Sequence, residues 1–185
     1  MRPAHAIAAG AVAAAFVGSA VFLKSGASVP KASPTPTPVI AGTPKSQCDA
    51  GLWAHVYPGD TRRFKTPQDR LKVINDCITV TGVLYSSKPE KDGDLHIRLT
   101  VDPEFESLLN DKNKSAQMGK LVIEPVCQNA PVQKDTVEEK SCNGFTQKLD
   151  IPAIGTRVSV TGPYVIDQEH GWCEIHYVQS IRAIQ

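Results

Sequence analysis

The segment "DLHIRLTV", residues 94–101, alternates apolar and polar side chains without a break. Successive side chains on a strand point to opposite faces, so this period of two predicts a strand with one face on a core. The other face is left for water or a ligand. The same period recurs along the chain. Ile78, Val80, Gly82 and Leu84 oppose Thr79, Thr81 and Val83 in a strand opening at Cys77, and "KLVIEPV" sets Leu121 and Ile123 against Val122 and Glu124. A fourth strand runs from Arg157 to Tyr164. The fifth, "WCEIHYVQSI", places Trp172, Glu174, His176 and Val178 on one face and Cys173, Ile175 and Tyr177 on the other. Gly82 and Gly162-Pro163 supply bends.

Five bent strands are too few for a typical β-sandwich. They predict an all-β fold, a small five-stranded Greek-key (OB-fold-like) barrel. Between the second and third strands "DPEFESLLNDKN" predicts one short helix. Asp102 is its N-cap, Pro103 its first residue, and Glu104 and Glu106 lie at the positive end. A long polar loop, Cys127 to Asp150, interrupts the sheet before the fourth strand.

The chain ahead of this region is of another kind. Residues 1–27 open on Arg2, run apolar from Ile7 to Leu23 and meet Lys24, the pattern of a signal peptide or an N-terminal membrane anchor. Residues 28–46 alternate Thr and Pro, which denies a helix its backbone donors and predicts an extended linker. The folded domain is then 47–185, in an exported chain that is periplasmic, cell-surface or secreted. Oxidised cysteines are expected there. Of the five cysteines, Cys127 and Cys142 flank the polar loop, while Cys48 precedes the first strand and Cys77 opens it. Locality favours Cys48–Cys77 and Cys127–Cys142 over the two other pairings of these four, leaving Cys173 single.

Charge bears on the partner. Arg2, Lys24, Lys31 and Lys45 all precede the folded part, so 20 basic side chains less these four leaves 16 against 19 acidic ones, a net of −3. Nonspecific nucleic-acid binding needs a basic footprint and is disfavoured. No phosphate-cradling glycine loop, GxSxG elbow or HExxH pair occurs.

The segments "RLKVINDCITVTGVL", "KPEKDGDLHIRL", "GKLVIEPVC", "GTRVSVTGPYVID" and "HGWCEIHYVQSI" together resemble a family of exported bacterial OB-fold-like proteins. The last strand of that family carries an HGWxEIHPV segment. The resemblance covers about residues 70–183 and departs from the pattern at Tyr177, where the family has proline. It implies the fold and export, and no activity.

The resemblance also implies the strand order 1-2-3-5-4, with the fourth strand closing on the first. His96, Glu124, Glu174 and His176 then fall on neighbouring strands and converge on one surface. Three readings follow. The bland one is a network of cross-strand pairs, Glu174 meeting Arg98 or His96. In the second, two imidazoles and two carboxylates hold a divalent metal such as Zn2+. The third is general acid/base chemistry without metal. His170 lies in the preceding turn, and Asp92 and Asp94 are accounted for by turn chemistry. Trp172 reads as core and Cys173 as a small buried hydrophobe. The expected function is an exported binding or interaction module for an envelope polysaccharide, peptide or protein. The alternative is a metal-dependent extracellular hydrolase, of phosphodiesterase or nuclease class, with Glu124 as ligand or general base.

Overall fold

β1 (Leu71–Pro89) is long enough to serve two partners. Its first part pairs antiparallel with β4 (Arg157–Asp167), from Leu71 opposite Asp167 to Val83 opposite Arg157. Its second part pairs with β2 (Leu95–Val101), from Gly82 opposite Val101 to Pro89 opposite Leu95. Gly82 belongs to both ladders. A Cβ there would stand 2.2 Å from the Thr100 carbonyl oxygen, so only glycine permits the close approach. β3 (Leu121–Glu124) runs antiparallel to β2 and parallel to β5 (Cys173–His176), which lies antiparallel to β4. The result is a mixed sheet with a ring of five strands, β1-β2-β3-β5-β4, closed by the β1–β4 pairing, and β6 (Ser180–Ala183) added alongside β4.

The computed structural model describes residues 48–132 and 136–185. The leader expected over 1–27 and the linker expected over 28–46 lie outside the described residues. Several bounds differ from the sequence-based expectation, and β4 runs on past Tyr164 to Asp167. β1 begins at Leu71 rather than Cys77, because register shifts between Val73 and Asn75 and between Asn75 and Ile78 break the period of two there. The single closing strand expected over 172–181 is two strands, β5 and β6. The break follows the His176–Tyr177 peptide, which is cis, and packs on Gly162, where a Cβ would meet the Tyr177 carbonyl oxygen at 2.2 Å.

Helices are short and more numerous than the one expected. Segment 102–116 forms a 3₁₀ stretch, Pro103–Leu108, and then an α-helix, Asp111–Ala116. Asp102 does not cap the first of these through its side chain. It instead accepts hydrogen bonds from Thr81 Oγ1 and, at 2.6 Å, from Arg157 Nη2. Asn110 caps the α-helix by accepting from the backbone N–H groups of Lys112 and Asn113. Further turns at Ala50–His55, Pro67–Arg70 and Val137–Cys142 lie in stretches whose sequence shows no sustained periodicity.

The main core is the inward face of the ring, where Val80, Ile97, Leu99, Leu121, Ile123, Val158, Val160 and Ile175 are fully buried. Each such side chain contributes about 1.5–3 kcal/mol through burial. A second cluster joins Val56, Leu71, Val126, Val165 and Tyr177 to the Cys127–Cys142 bridge, with Trp53 and Phe145 packed against it. Segment 48–56 and the Cys127–Cys142 bridge therefore cover part of the sheet that the alternation alone leaves open. Both local disulfides, Cys48–Cys77 and Cys127–Cys142, are formed, and Cys173 is free and buried. Such bridges belong to oxidising surroundings. Among the described residues no helix is long and apolar enough to cross a membrane.

Candidate functional site

β3 and β5 position the centre of the site. Their parallel register sets Val122 beside Glu174 and Glu124 beside His176, and the β2–β3 register carries His96 toward Glu124. Since Ile97, Ile123 and Ile175 face the core, the intervening polar residues must share the opposite face.

That face gathers all four residues expected from the sequence. His96 Nδ1 lies 2.8 Å from Glu124 Oε1, and His96 Nε2 is 3.2 Å from Gln117 Oε1. His176 Nδ1 lies 3.1 Å from Glu124 Oε2 and 3.0 Å from Glu174 Oε1. Glu174 Oε2 accepts a hydrogen bond from Trp172 Nε1 at 2.8 Å. The chain His96–Glu124–His176–Glu174–Trp172 is thus continuous. It is not the open surface expected, for Glu174 and His176 are 0% and 1% exposed. Arg98 does not meet Glu174, and its Nε donates to Gln117 Oε1 at 2.8 Å instead.

Asp94, ascribed to the turn by sequence, belongs to the site. One oxygen, Oδ1, accepts from the Cys127 backbone N–H at 2.7 Å. The other, Oδ2, stands 3.7 Å from His176 Nε2, and neither atom has a hydrogen-bond partner. Asp94, Glu124 and His176 each bring a potential metal-ligating atom within 4.8 Å of the others. The signal was present in the alternation, since residues 94, 96 and 98 share one face of the strand.

Burial and charge act against each other across this group. Burial disfavours the charged form of His176, yet the adjacent Glu124 and Glu174 hold its pKa well above the ordinary histidine value. Glu124 is also penalised by burial, but contacts with His176 and His96 hold it well below the usual carboxylate range. Asp94 goes the other way. Burial and then the neighbouring Asp92 raise it well above that range, and His176 only partly offsets them. Burial, reinforced by Glu124, likewise raises Glu174.

Glu124 and His96 form part of the lining of a cleft of about 790 Å³. Trp172, expected in the core, lines it too. Its ring stacks on His170 with centroids 4.4 Å apart and meets His96 edge-on at 6.0 Å. Lys88, Lys91 and Arg98 bring positive charge to the lining, and Glu90, Asp92, Glu138 and Glu169 negative charge. Arg70 also lines the cleft but is tied to Asp167, its Nη2 donating to Oδ2 at 2.6 Å. Sequence reading missed this pair, as its partners are 97 residues apart and meet only where the β1–β4 register sets Leu71 opposite Asp167.

No protein-family model matches the chain, and no curated protein matches it.

Proposed function

We propose that this chain is an exported OB-fold-like binding module that holds a polar segment of an envelope polysaccharide in the cleft beside β2, β3 and β5. The ring order β1-β2-β3-β5-β4, with β1 closing on β4, supports the Greek-key barrel reading and the resemblance to exported proteins with an HGWxEIHPV strand. Two disulfides support residence outside the cytoplasm. The leader at 1–27 and the Thr/Pro stretch at 28–46 would then serve as export signal or anchor and as tether.

The observation that carries the ligand reading is the setting of Trp172. Its Nε1 is bonded to a buried carboxylate and its ring is stacked, so it offers the cleft a fixed apolar surface at little ordering cost. Around it stand the guanidinium of Arg98, the amide of Gln117 and the carboxylate of Glu124, which suit the hydroxyl edges of a sugar. A nucleic acid strand would favour a basic groove with successive aromatic platforms. This lining mixes both signs of charge. Cys173, the one free thiol among the described residues, packs in the core rather than lining the cleft.

The test is titration of the full chain, carrying Trp53→Phe so that Trp172 alone reports, with neutral and acidic oligosaccharides, short peptides and single-stranded DNA. A saturable fluorescence change with an oligosaccharide, lost in Arg98→Ala, is expected. Saturation by a peptide or by DNA alone, or no saturation by any probe, would overturn the reading.

A further inference from the structure

We propose that Asp94, Glu124 and His176 form a binding site for one divalent transition cation of the Zn2+ class at the inner wall of the cleft. This goes beyond the polysaccharide reading and does not depend on it.

Two observations point to a ligand independently of the acidic character of the group. Asp94 Oδ2 and His176 Nε2 are both buried and without hydrogen bonds, in residues that are 2% and 1% exposed. Buried polar atoms are almost always partnered, so two orphans on neighbouring side chains call for an explanation. Their separation is the second observation. At 3.7 Å they are too far apart for a hydrogen bond. Two ligand atoms bound to one tetrahedral Zn2+ at about 2.0–2.2 Å stand roughly 3.4 Å apart. The pair is already spaced to within a few tenths of an ångström for sharing an ion.

The surroundings prepare His176 for that role. Its Nδ1 faces Glu174 Oε1 at 3.0 Å, and Glu174 is itself fixed by Trp172 Nε1. A carboxylate that accepts a hydrogen bond from the Nδ1–H of a histidine orients the ring and leaves Nε2 to bind metal. Glu174 is therefore a positioning residue rather than a ligand. Asp94 is held in the same way, since Oδ1 is occupied by the Cys127 backbone N–H and Oδ2 is left over. The Cys127–Cys142 bridge anchors that backbone. Glu124 lines the cleft and gives the route of entry, and one of its oxygens, within 4.8 Å of the other two ligand atoms, is the third ligand once Oε2 turns from His176 Nδ1, now 3.1 Å away. One imidazole with two carboxylates suits Zn2+ better than the all-oxygen ligation of Mg2+ or Ca2+. Binding is a ligand exchange in which the ion loses water and any proton on Nε2 passes to solvent.

The experiment uses the full chain with its disulfides intact, stripped by a chelator that is then removed, and titrated with Zn2+ by calorimetry. One ion per chain is expected, with a rise in melting temperature of roughly 5 °C or more at saturation. Asp94→Asn should weaken binding at least about 100-fold, and Glu174→Gln roughly 10–100-fold through loss of ring orientation. In case neither variant folds, Mn2+ is titrated into the unsubstituted chain and amide line broadening is mapped. Broadening centred on residues 94, 124 and 176 is expected. Failure of the unsubstituted chain to bind Zn2+ stoichiometrically would overturn the proposal. So would broadening centred on His170 or the acidic rim, or unchanged affinity in a folded Asp94→Asn. Because the probe is the metal alone, failure here leaves the oligosaccharide reading standing, and failure there leaves this one.

Discussion

Arg70 and Asp167, 97 residues apart, form an ion pair in which Nη2 stands 2.6 Å from Oδ2 and both side chains are buried. The carboxylate also accepts from the backbone N–H groups of Glu169 and His170, and it lies 2.7 Å from His170 Nδ1. The pair ties the start of β1 to the end of β4 and the turn before Trp172. Removing one partner strands the other charge out of water. Arg70→Ala is expected to destabilise the protein by about 3–5 kcal/mol, read from the midpoint of urea unfolding. A loss under 1 kcal/mol would mean that water reaches Asp167.

His170 should titrate above the ordinary histidine range, because the hydrogen bond to Asp167 outweighs partial burial. A raised folded pKa means that the contribution to stability is complete below the unfolded value, about 6.5, and is lost as pH rises through the folded value. Proton NMR of the ring gives the pKa directly. His170→Asn should remove the part of the stability loss that falls above about pH 6.5.

The two disulfides enclose sequence separations of 29 and 15 residues. Chain entropy alone assigns them about 3.6 and about 3 kcal/mol. Replacing Cys127 and Cys142 together by serine should lower unfolding stability by about the smaller figure. It should also loosen the backbone that holds Asp94, so hydrogen exchange at the backbone amide of position 127, which donates to Asp94, is expected to speed up.

Cys173 is 5% exposed, and burial raises its thiol pKa above the free value. A thiolate-directed alkylating reagent should leave the folded chain unmodified and label one site per chain after urea unfolding without reductant. Rapid labelling of the native protein would mean that β5 opens readily.

Gly82→Ala forces a Cβ to within 2.2 Å of the Thr100 oxygen, an atom of the backbone that cannot rotate away. A loss of about 1–3 kcal/mol or more is expected in thermal or urea melts. An unchanged melt would show that β1 and β2 can separate at this point without penalty.

Much of the ring was legible because alternation survives wherever one face is buried. β2 follows its expected course, and residues 80–84 of β1 face as the pattern predicts. The convergence of His96 and Glu124 follows from period two together with the strand order that the resemblance implies. What escaped did so for physical reasons. Bulges hid the first six residues of β1, from Leu71 to Asp76. β3 and β5 are buried on both faces, so a polar residue such as Glu174 looked exposed when it is enclosed. Asp94 was concealed by its neighbours, because Asp-Gly-Asp satisfies a turn before any other role is considered. Trp172 was placed by the usual habit of its residue type, although its face was shared with Glu174 and His176.

The joining of β3 to β5 in parallel has a temporal consequence. His96 and Glu124 are 28 residues apart, and Glu174 and His176 arrive only when β5 lies between β3 and β4. Long loops must close before any of these contacts offers a return, which places assembly of the cleft late in folding. A chain still extended, or folded only through β3, carries the side chains but not the site. The cleft is therefore a stamp of completion, absent from every unfinished copy.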